Sequence, residues 1–187
     1  MVTAHDAFPA DGFEAAWETV DGAHTEHLSL RWDNEAWTAS GRVGAHDVEY
    51  VIRLSPLWQV RQFLLFRDLE EPDLWLGTDG AGRWGEVNGA HRPELDGTRD
   101  ITLACTPFGH VLPIRRLPLE VGHAAEIRVL DIDVETLGVV PIEVVYERLG
   151  ERRWHVRRPD TAGGDVDFEV DHHGVPTDVP GRFRRLA

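Results

Sequence analysis

Two stretches of the sequence place acidic residues at every second position. One contains Asp131, Asp133 and Glu135, and the other spans residues 165–171. In an extended strand, residues two apart share a face, so each set would form a row of carboxylates. Two carboxylates across a cleft, one with a raised pKa, are the machinery of a glycosidase. Because apolar residues occupy the alternate positions, we interpret both rows as the wet faces of half-buried strands and assign no catalytic residue.

Histidine is abundant, with ten residues, but its spacing does not suit a metal ion. His24 and His27 are three apart, and His172 and His173 are adjacent. In an extended chain neither pair lies on one face, and no set of cysteines and histidines has the spacing of a zinc site. The sequence therefore predicts no metal and no cofactor.

Nucleophilic and nucleotide chemistry have even less support. The chain has three serines and no Gly-x-Ser-x-Gly elbow, and the glycines at 77–82 belong to a hairpin rather than to a phosphate-binding loop. Cys105, the single cysteine, lies in an apolar run and excludes an intramolecular disulfide.

The segment 100–117 mixes apolar residues with the adjacent pair Arg115 and Arg116. Pro107 and Pro113 interrupt it, so we expect neither a regular strand nor a helix, but a chain that bends across the mouth or wall of a β structure. The guanidinium groups could pair with phosphate or sugar oxygens, or one could anchor the bend by bonding carbonyls. Because adjacent residues of an extended chain face opposite ways, we expect one arginine to point inward and the other to reach solvent.

Tryptophan is the other unusual feature, with seven residues in 187. Aromatic faces stack on sugars and line acyl pockets, although most tryptophans of a β protein fill the core. Trp75 and Trp84 flank a predicted hairpin, and Arg83 lies beside Trp84. These three residues are therefore candidates for a binding site.

The elements that must position these residues are mostly strands. Apolar residues recur with a period of two, and Asp79-Gly80 is typical of a hairpin turn. Only Phe13–Thr19 is predicted to be helical. Pairing Arg153–Arg157 with residues 165–171 in an antiparallel hairpin would set Trp154 opposite Phe168 and all opposite charges on the other face. Further strands are predicted at residues 27–32, 48–54, 57–66, 127–135 and 142–147.

The composition indicates one domain, here assigned to residues 13–187 behind a flexible tail at 1–12. The net charge of −14 argues against a nucleic-acid partner. No apolar stretch is long enough to span a bilayer, so no integral membrane association is expected. The first residues have no secretion-signal pattern, and the expected location is cytoplasmic.

Several segments together resemble the Putative glycolipid-binding family of small bacterial proteins. Residues 106–117 resemble its TPF…LPIRRL core, and residues 79–84 its D-G-x-G-x-W element. Residues 95–103 are similar to the family's entry to that core, and residues 171–183 to its D-x-x-G-V…Y-P-G-x-F ending. The sequence departs from the pattern at residues 109–111, where Gly-His-Val replaces Thr-Asn-Thr.

The resemblance implies an all-β domain in which a curved antiparallel sheet forms an incomplete, open β-barrel with at most one or two short helices. It also implies an amphipathic small-molecule partner, such as a glycolipid or an acyl lipid, bound in the groove of the barrel without catalysis. The candidate ligand-binding residues are Arg115, Arg116, His110, Phe108, Trp75, Trp84, Arg83 and Asp100.

Two alternatives remain at this point. A small hydrolase or lyase acting on a sugar or lipid would need titratable groups that converge in the groove, and His110, Asp100 and Arg115 would be the residues concerned. In a structural interaction module, side chains would fill the groove, and Arg115 and Arg116 would pair with carbonyls or acids.

Overall fold

The computed structural model describes residues 5–44, 48–67, 70–159 and 164–187, and the regular structure there is almost all β. The strands are β1 (Phe13–Thr19), β2 (Thr25–Asp33), β3 (Ala36–Val43), β4 (Val48–Leu54), β5 (Val60–Phe66), β6 (Leu74–Thr78), β7 (Trp84–Glu86), β8 (Asp100–Leu103), β9 (Ala124–Ile132), β10 (Val139–Arg148), β11 (Arg153–Arg157), β12 (Val166–Glu169) and β13 (Phe183–Arg185). The described helices are two 3-10 turns, Pro93–Leu95 and Phe108–His110, and α1 (Val111–Arg116). The predicted all-β, single-domain class is confirmed.

The larger sheet has eight antiparallel strands in the order β13-β1-β2-β3-β4-β5-β6-β7 and curls into an open half-barrel. From β1 to β7 each strand pairs with the next strand in the sequence, and β13 closes the order by pairing with β1. In β4 the alternate residues Val48, Tyr50, Ile52 and Leu54 are all buried, as the period of two predicted. The expected open barrel is therefore confirmed.

The one segment predicted to be helical is a strand. β1 pairs with β2 along six residues and with β13 along three. Its Trp17 is fully buried, and the indole N–H donates to the carbonyl of Pro176 at 3.1 Å. The helix prediction was wrong because two neighbouring strands satisfy the backbone here, and such pairing outweighs the helical propensity of a Glu-Ala-Ala run.

The second sheet has five strands in the order β12-β11-β10-β9-β8. β8 pairs in parallel with β9, whereas every other described pair is antiparallel. A parallel pair needs a long crossover, and residues 104–123, which contain α1, provide it. The strands thus form two sheets rather than the single antiparallel sheet expected.

The proline-containing segment 100–117 is more regular than its sequence suggests. It begins as strand β8, passes through the 3-10 turn Phe108–His110 and ends as α1. Pro113 is compatible with α1 because it lies in the first turn, where a backbone N–H has no partner within the helix. The helix ends at Arg116, and the next residue, Leu117, has the extended backbone that is favoured before a proline. The expectation of neither strand nor helix was wrong for this reason.

One core joins the two sheets, and the beginning of the described chain contributes to it. Phe8 is buried, and its ring stacks on His173 with centroids 4.9 Å apart. The N–H of Asp6 donates to the carbonyl of His172 at 2.9 Å. Asp6 and Phe8, which lie in the predicted tail, therefore contact the domain in this structure. No helix of the described chain is long and apolar enough to cross a membrane.

The first predicted row of carboxylates does not form. β9 ends at Ile132, and Asp133 lies in the following turn, where its Oδ1 accepts hydrogen bonds from the backbone of Glu135 and Thr136 at 2.9 and 3.1 Å. An aspartate that bonds its own backbone favours a turn over a strand. The expectation that Asp131, Asp133 and Glu135 share one strand face was therefore wrong.

The predicted register of the β11–β12 hairpin is confirmed. Trp154 lies opposite Phe168, His155 opposite Asp167, and Arg153 opposite Glu169. Trp154 is buried, whereas the Arg153 and Asp167 side chains keep 60% and 43% of their surface exposed. The acidic residues of this hairpin thus lie on its solvent-exposed face. The connecting residues 160–163 lie outside the described chain.

This arrangement predicts that the aromatic pair, and not the charges, stabilises the hairpin. Trp154→Ala should lower the free energy of unfolding by about 3–5 kcal/mol, because it leaves a cavity in the core. Arg153→Ala, on the opposite face, should cost less than about 1 kcal/mol. Urea denaturation of the two variants and the parent measures both values, and equal losses would contradict the assignment of faces.

Candidate functional site

A groove of about 580 Å³ opens between the β4–β5 turn and the C-terminal end of α1. Its volume is in the range of about 300–1,000 Å³ that is usual for ligand sites. The described residues that line it are His5, Pro56, Leu57, Trp58, Gln59, Arg99, Ile114, Arg115, Arg116, Leu117, Pro118 and Arg148. The lining thus combines apolar side chains with arginines.

The β4–β5 turn forms the apolar side of the groove. The hydroxyl of Ser55 accepts hydrogen bonds from the backbone of Leu57 and Gln59, both at 3.2 Å, and so fixes the turn. Trp58 has a left-handed backbone with φ of 63°, which is uncommon for a bulky residue. Leu57 remains 72% exposed, whereas Trp58 is buried in the wall. Local strain of this kind is often found where a structure positions a ligand contact.

Arg115 lies against aromatic rings and carbonyls at the wall of the groove. The carbon of its guanidinium is 4.6 Å from the ring centroids of both Phe8 and Trp58. Its Nη1 donates to the carbonyls of Asp6 and His173, while its buried Nε has no hydrogen-bond partner among the described residues. Burial lowers the pKa of Arg115 to about 10, so the side chain is still charged at neutral pH.

Arg116 is held by a buried carboxylate. Its Nε donates to Oδ1 of Asp100 at 3.1 Å, and its Nη2 donates to Oδ2 of the same residue. Asp100 is fully buried, and burial raises its pKa even though Arg116 favours the ionised form. Such a two-point ion pair fixes the plane of the guanidinium.

Arg99, Arg148 and His5 complete the polar side. Arg99 is exposed and directly precedes β8. Arg148 is 3% exposed, and it donates to the carbonyls of Leu119 and Glu151 at 3.0 and 2.8 Å. Burial, together with the nearby charge of Arg115, lowers the pKa of His5 to about 4. At neutral pH the described lining therefore carries four positive charges, a neutral imidazole and no carboxylate.

Comparison with known proteins places the chain in a family. The family model described as Putative glycolipid-binding matches residues 14–185. The chain belongs to this family. A crystal structure of a DUF1089 family protein (PA1994) from Pseudomonas aeruginosa is similar to this chain, with a TM-score of 0.72 and 26% sequence identity. The similarity covers 100% of this chain and 98% of the other. No curated protein matches the sequence.

Three of the candidate residues from segment 100–117, which contains the core motif of the glycolipid-binding family, meet at the groove. Arg115 and Arg116 line it, and Asp100 lies behind Arg116 as its partner. The expectation that one arginine would point inward and the other into solvent was wrong. The two residues lie on a helix, where neighbours are about 100° apart, and both are half-buried.

The other two candidates of this segment are internal. Phe108 is fully buried in the core. His110 is 6% exposed, and its Nδ1 lies 2.8 Å from the hydroxyl of Tyr146. Burial lowers the pKa of His110 to about 3, so the ring is neutral at physiological pH. Neither residue lines the groove.

The hairpin candidates also lie away from the groove lining. Trp84 is buried, and its indole N–H donates to the carbonyl of Thr98 at 3.1 Å. Trp75 precedes the buried Leu76 in β6, so it points to the other face of the sheet and is half-buried. Arg83 is exposed in the turn. The structure therefore gives Trp84 a core position and does not bring the three residues to the arginines.

Sequence reasoning identified two of the twelve described lining residues, Arg115 and Arg116, as candidates and missed the other ten. For the β4–β5 turn, the Ser55-Pro56 dipeptide was a usable signal, because it favours a turn, whereas we predicted a strand from residue 57. That boundary was wrong, because β5 begins at Val60. As a result, Leu57 and Trp58 were assigned to a strand and not to a turn that could line a site. His5, Arg99 and Arg148 carry no local signal, since only the fold brings them to α1.

The histidine pairs do not form a metal site. Across the described residues, no group of three or more histidine, cysteine, aspartate or glutamate side chains is placed to hold an ion. The imidazoles of His172 and His173 approach each other, with centroids 4.0 Å apart, but His173 stacks on Phe8.

A buried polar cluster lies inside the half-barrel, apart from the groove. Glu26 is 2% exposed; its Oε1 accepts a hydrogen bond from the hydroxyl of Tyr50, which also lies 3.2 Å from that of Thr106. The other oxygen, Oε2, has no partner among the described residues. Burial raises the pKa of Glu26 from 4.5 to about 7, against the opposing effect of these hydrogen bonds.

This cluster predicts a pH-dependent contribution to stability. Because the folded pKa of Glu26 is raised, the folded state binds more protons than the unfolded state between pH 4.5 and about 7. The contribution of Glu26 is therefore favourable at low pH and is lost as the pH rises through that window, by roughly 3 kcal/mol in all.

The measurement compares the parent with Glu26→Gln, because other groups that titrate in the same window are common to both. The stability of the variant relative to the parent should increase from pH 4.5 to 7 and then level off, as followed by urea denaturation. Parallel pH profiles for the two proteins would show that Glu26 is not protonated in the folded state.

Proposed function

We propose that this protein binds an amphipathic lipid of the glycolipid class in the groove between the β4–β5 turn and α1, without acting on it chemically. The observation that carries the proposal is the composition of the groove, in which apolar and cationic side chains line one open space. Leu57, Ile114 and Leu117 suit an acyl chain, and Arg115 and Arg116 suit a polar headgroup. The family description agrees with this ligand class.

The apolar side can supply useful binding energy. Each methylene group removed from water contributes about 0.8 kcal/mol. Five buried methylenes would therefore contribute about 4 kcal/mol, from which the cost of association must be subtracted. Leu57 is 72% exposed, so it has much apolar surface to bury against an acyl chain.

The polar side favours binding over the hydrolase or lyase alternative. That alternative needs titratable groups that converge on the ligand. His110 is buried against Tyr146, and Asp100 is behind Arg116. The described lining has no carboxylate, and His5, its one imidazole, is flanked by arginines.

The module alternative fits the structure only in part. Arg115 does bond carbonyls, and Arg116 does pair with an acid, as that alternative requires. Side chains do not fill the groove, however, which keeps a volume of about 580 Å³. The open volume is the observation that favours ligand binding.

Lipid mass spectrometry of an organic-solvent extract tests the proposal. Purified protein should release an acyl lipid in an amount comparable to that of the protein. If no lipid is extracted and acyl probes do not bind, the proposed function is wrong.

A variant of the turn should weaken the binding of an acyl chain. Leu57→Ser should reduce the affinity for dansyl-labelled undecanoic acid about tenfold, because the leucine surface that the chain would cover is lost. The free energy of unfolding should change by less than about 0.5 kcal/mol, since Leu57 is already exposed. Fluorescence titration gives the affinity. Val20→Ser, at a 61% exposed position in the β1–β2 connection, is the matched control and should bind like the parent.

A further inference from the structure

We infer that the ligand of this groove carries an oxyanion of the phosphate or sulfate type, bound by Arg99, Arg115 and Arg116. The inference rests on the proposed function, and it adds the charge class of the headgroup. A neutral sugar headgroup would leave these three guanidinium groups without the partner that their arrangement suits.

The first argument is the contrast between the groove and the rest of the chain. The protein has 33 acidic and 19 basic residues, so a randomly chosen surface region should be negative. The groove reverses this ratio, because its described lining holds four arginines and no aspartate or glutamate. Charge of one sign in a concave site attracts ligands of the opposite sign.

The second argument is that the positive charge is not compensated locally. Asp100 accepts hydrogen bonds from Arg116, but it is buried behind that residue and neutralises one charge. Asp171, the acid that acts on Arg115, is itself paired with Arg185 at 3.2 Å. Among the described residues, none forms an ion pair or hydrogen bond with the Arg99 guanidinium, although its charge acts on the same Asp100, so this single carboxylate faces two arginines. Arg148 is not part of the proposed site, because it donates to the carbonyls of Leu119 and Glu151.

The third argument is that two of the arginines are held in place before a ligand binds. The ion pair with Asp100 orients Arg116 through Nε and Nη2, which leaves Nη1 as a donor. The rings of Phe8 and Trp58, with the two carbonyls that accept from Nη1, hold Arg115, and no described residue accepts a hydrogen bond from its Nη2. Donors that are already fixed lose little conformational entropy when a ligand binds. The N–H groups of two guanidinium groups can donate together to the oxygens of one tetrahedral anion.

Isothermal titration calorimetry with two probes of equal chain length tests the inference. Decyl phosphate and decyl β-D-maltoside are titrated below their micelle concentrations, and inorganic phosphate is titrated separately. Decyl phosphate should bind at least tenfold more tightly than the maltoside, and its affinity should fall as the salt concentration is raised, because salt screens exposed charges.

Two variants locate the effect. Arg99→Gln, at an exposed position, should reduce the preference for decyl phosphate over the maltoside at least threefold. Arg116 is tested as the double variant Asp100→Asn/Arg116→Gln, which removes both buried charges and avoids an unpaired carboxylate. Arg42→Gln, a surface arginine of β3 that pairs with Glu49, is the matched control and should keep the full preference.

The outcomes separate this inference from the proposed function. If the two decyl probes bind equally well, the inference is overturned and the proposed function stands. If inorganic phosphate binds as tightly as decyl phosphate, the oxyanion site is supported, and the acyl part of the proposed function fails. If neither decyl probe nor inorganic phosphate binds, both are overturned. A preference for decyl phosphate that Arg99→Gln and the double variant leave intact would also overturn the assignment to these arginines.

Discussion

The ion pair between Asp100 and Arg116 joins the first residue of β8 to the last residue of α1. A helix of six residues is too short to be stable alone, so its position depends on what it contacts. Val111, Leu112 and Ile114 are buried, and they fix the helix on the sheets, while the ion pair fixes its C-terminal end. Loss of one partner would leave a buried charge, at a cost of about 3–5 kcal/mol. The shape of the groove therefore depends on this contact.

The segment 100–117 also connects the two sheets through its polar residues. Thr106 lies 3.2 Å from the hydroxyl of Tyr50 in β4, which belongs to the half-barrel. His110 lies 2.8 Å from the hydroxyl of Tyr146 in β10, which belongs to the smaller sheet. A buried polar group is costly unless it is hydrogen-bonded, so each contact fixes the segment against one sheet. Side chains that suggest chemistry in the sequence thus have structural roles, and the arginines at the end of the segment are the ones that face the groove.

The position of the Arg115 side chain depends on contacts with parts of the chain that are distant in sequence. It contacts Asp6 near the beginning of the described chain, Trp58 in the β4–β5 turn, and His173 in the turn that follows β12. Burial of a guanidinium is costly unless carbonyls and aromatic faces replace water, and these three segments together provide both. The groove thus depends on contacts between α1 and segments that are far apart in the sequence.

The sequence by itself determined the features that depend on neighbours along the chain. The period of two identified β4, and the alternation of charged and apolar residues specified the register of β11 on β12, because a slip by one residue would set apolar side chains against charged ones. The motifs around 79–84 and 100–117 determined the family, and with it the open barrel.

Only the tertiary structure decided the secondary structure of the segments in which local propensity or a proline predicts the wrong element. β1 is a strand because β2 and β13 flank it, and α1 can form a helix because Pro113 falls in its first turn, where proline removes no hydrogen bond within the helix. The residues that line the groove likewise could be identified only in part from the sequence. Arg115 and Arg116 could be identified as candidates, but Arg99 and Arg148 reach the groove through strand pairing and crossover. No local pattern encodes such long-range contacts, because they are selected by the burial of the whole core and not by the residues beside them.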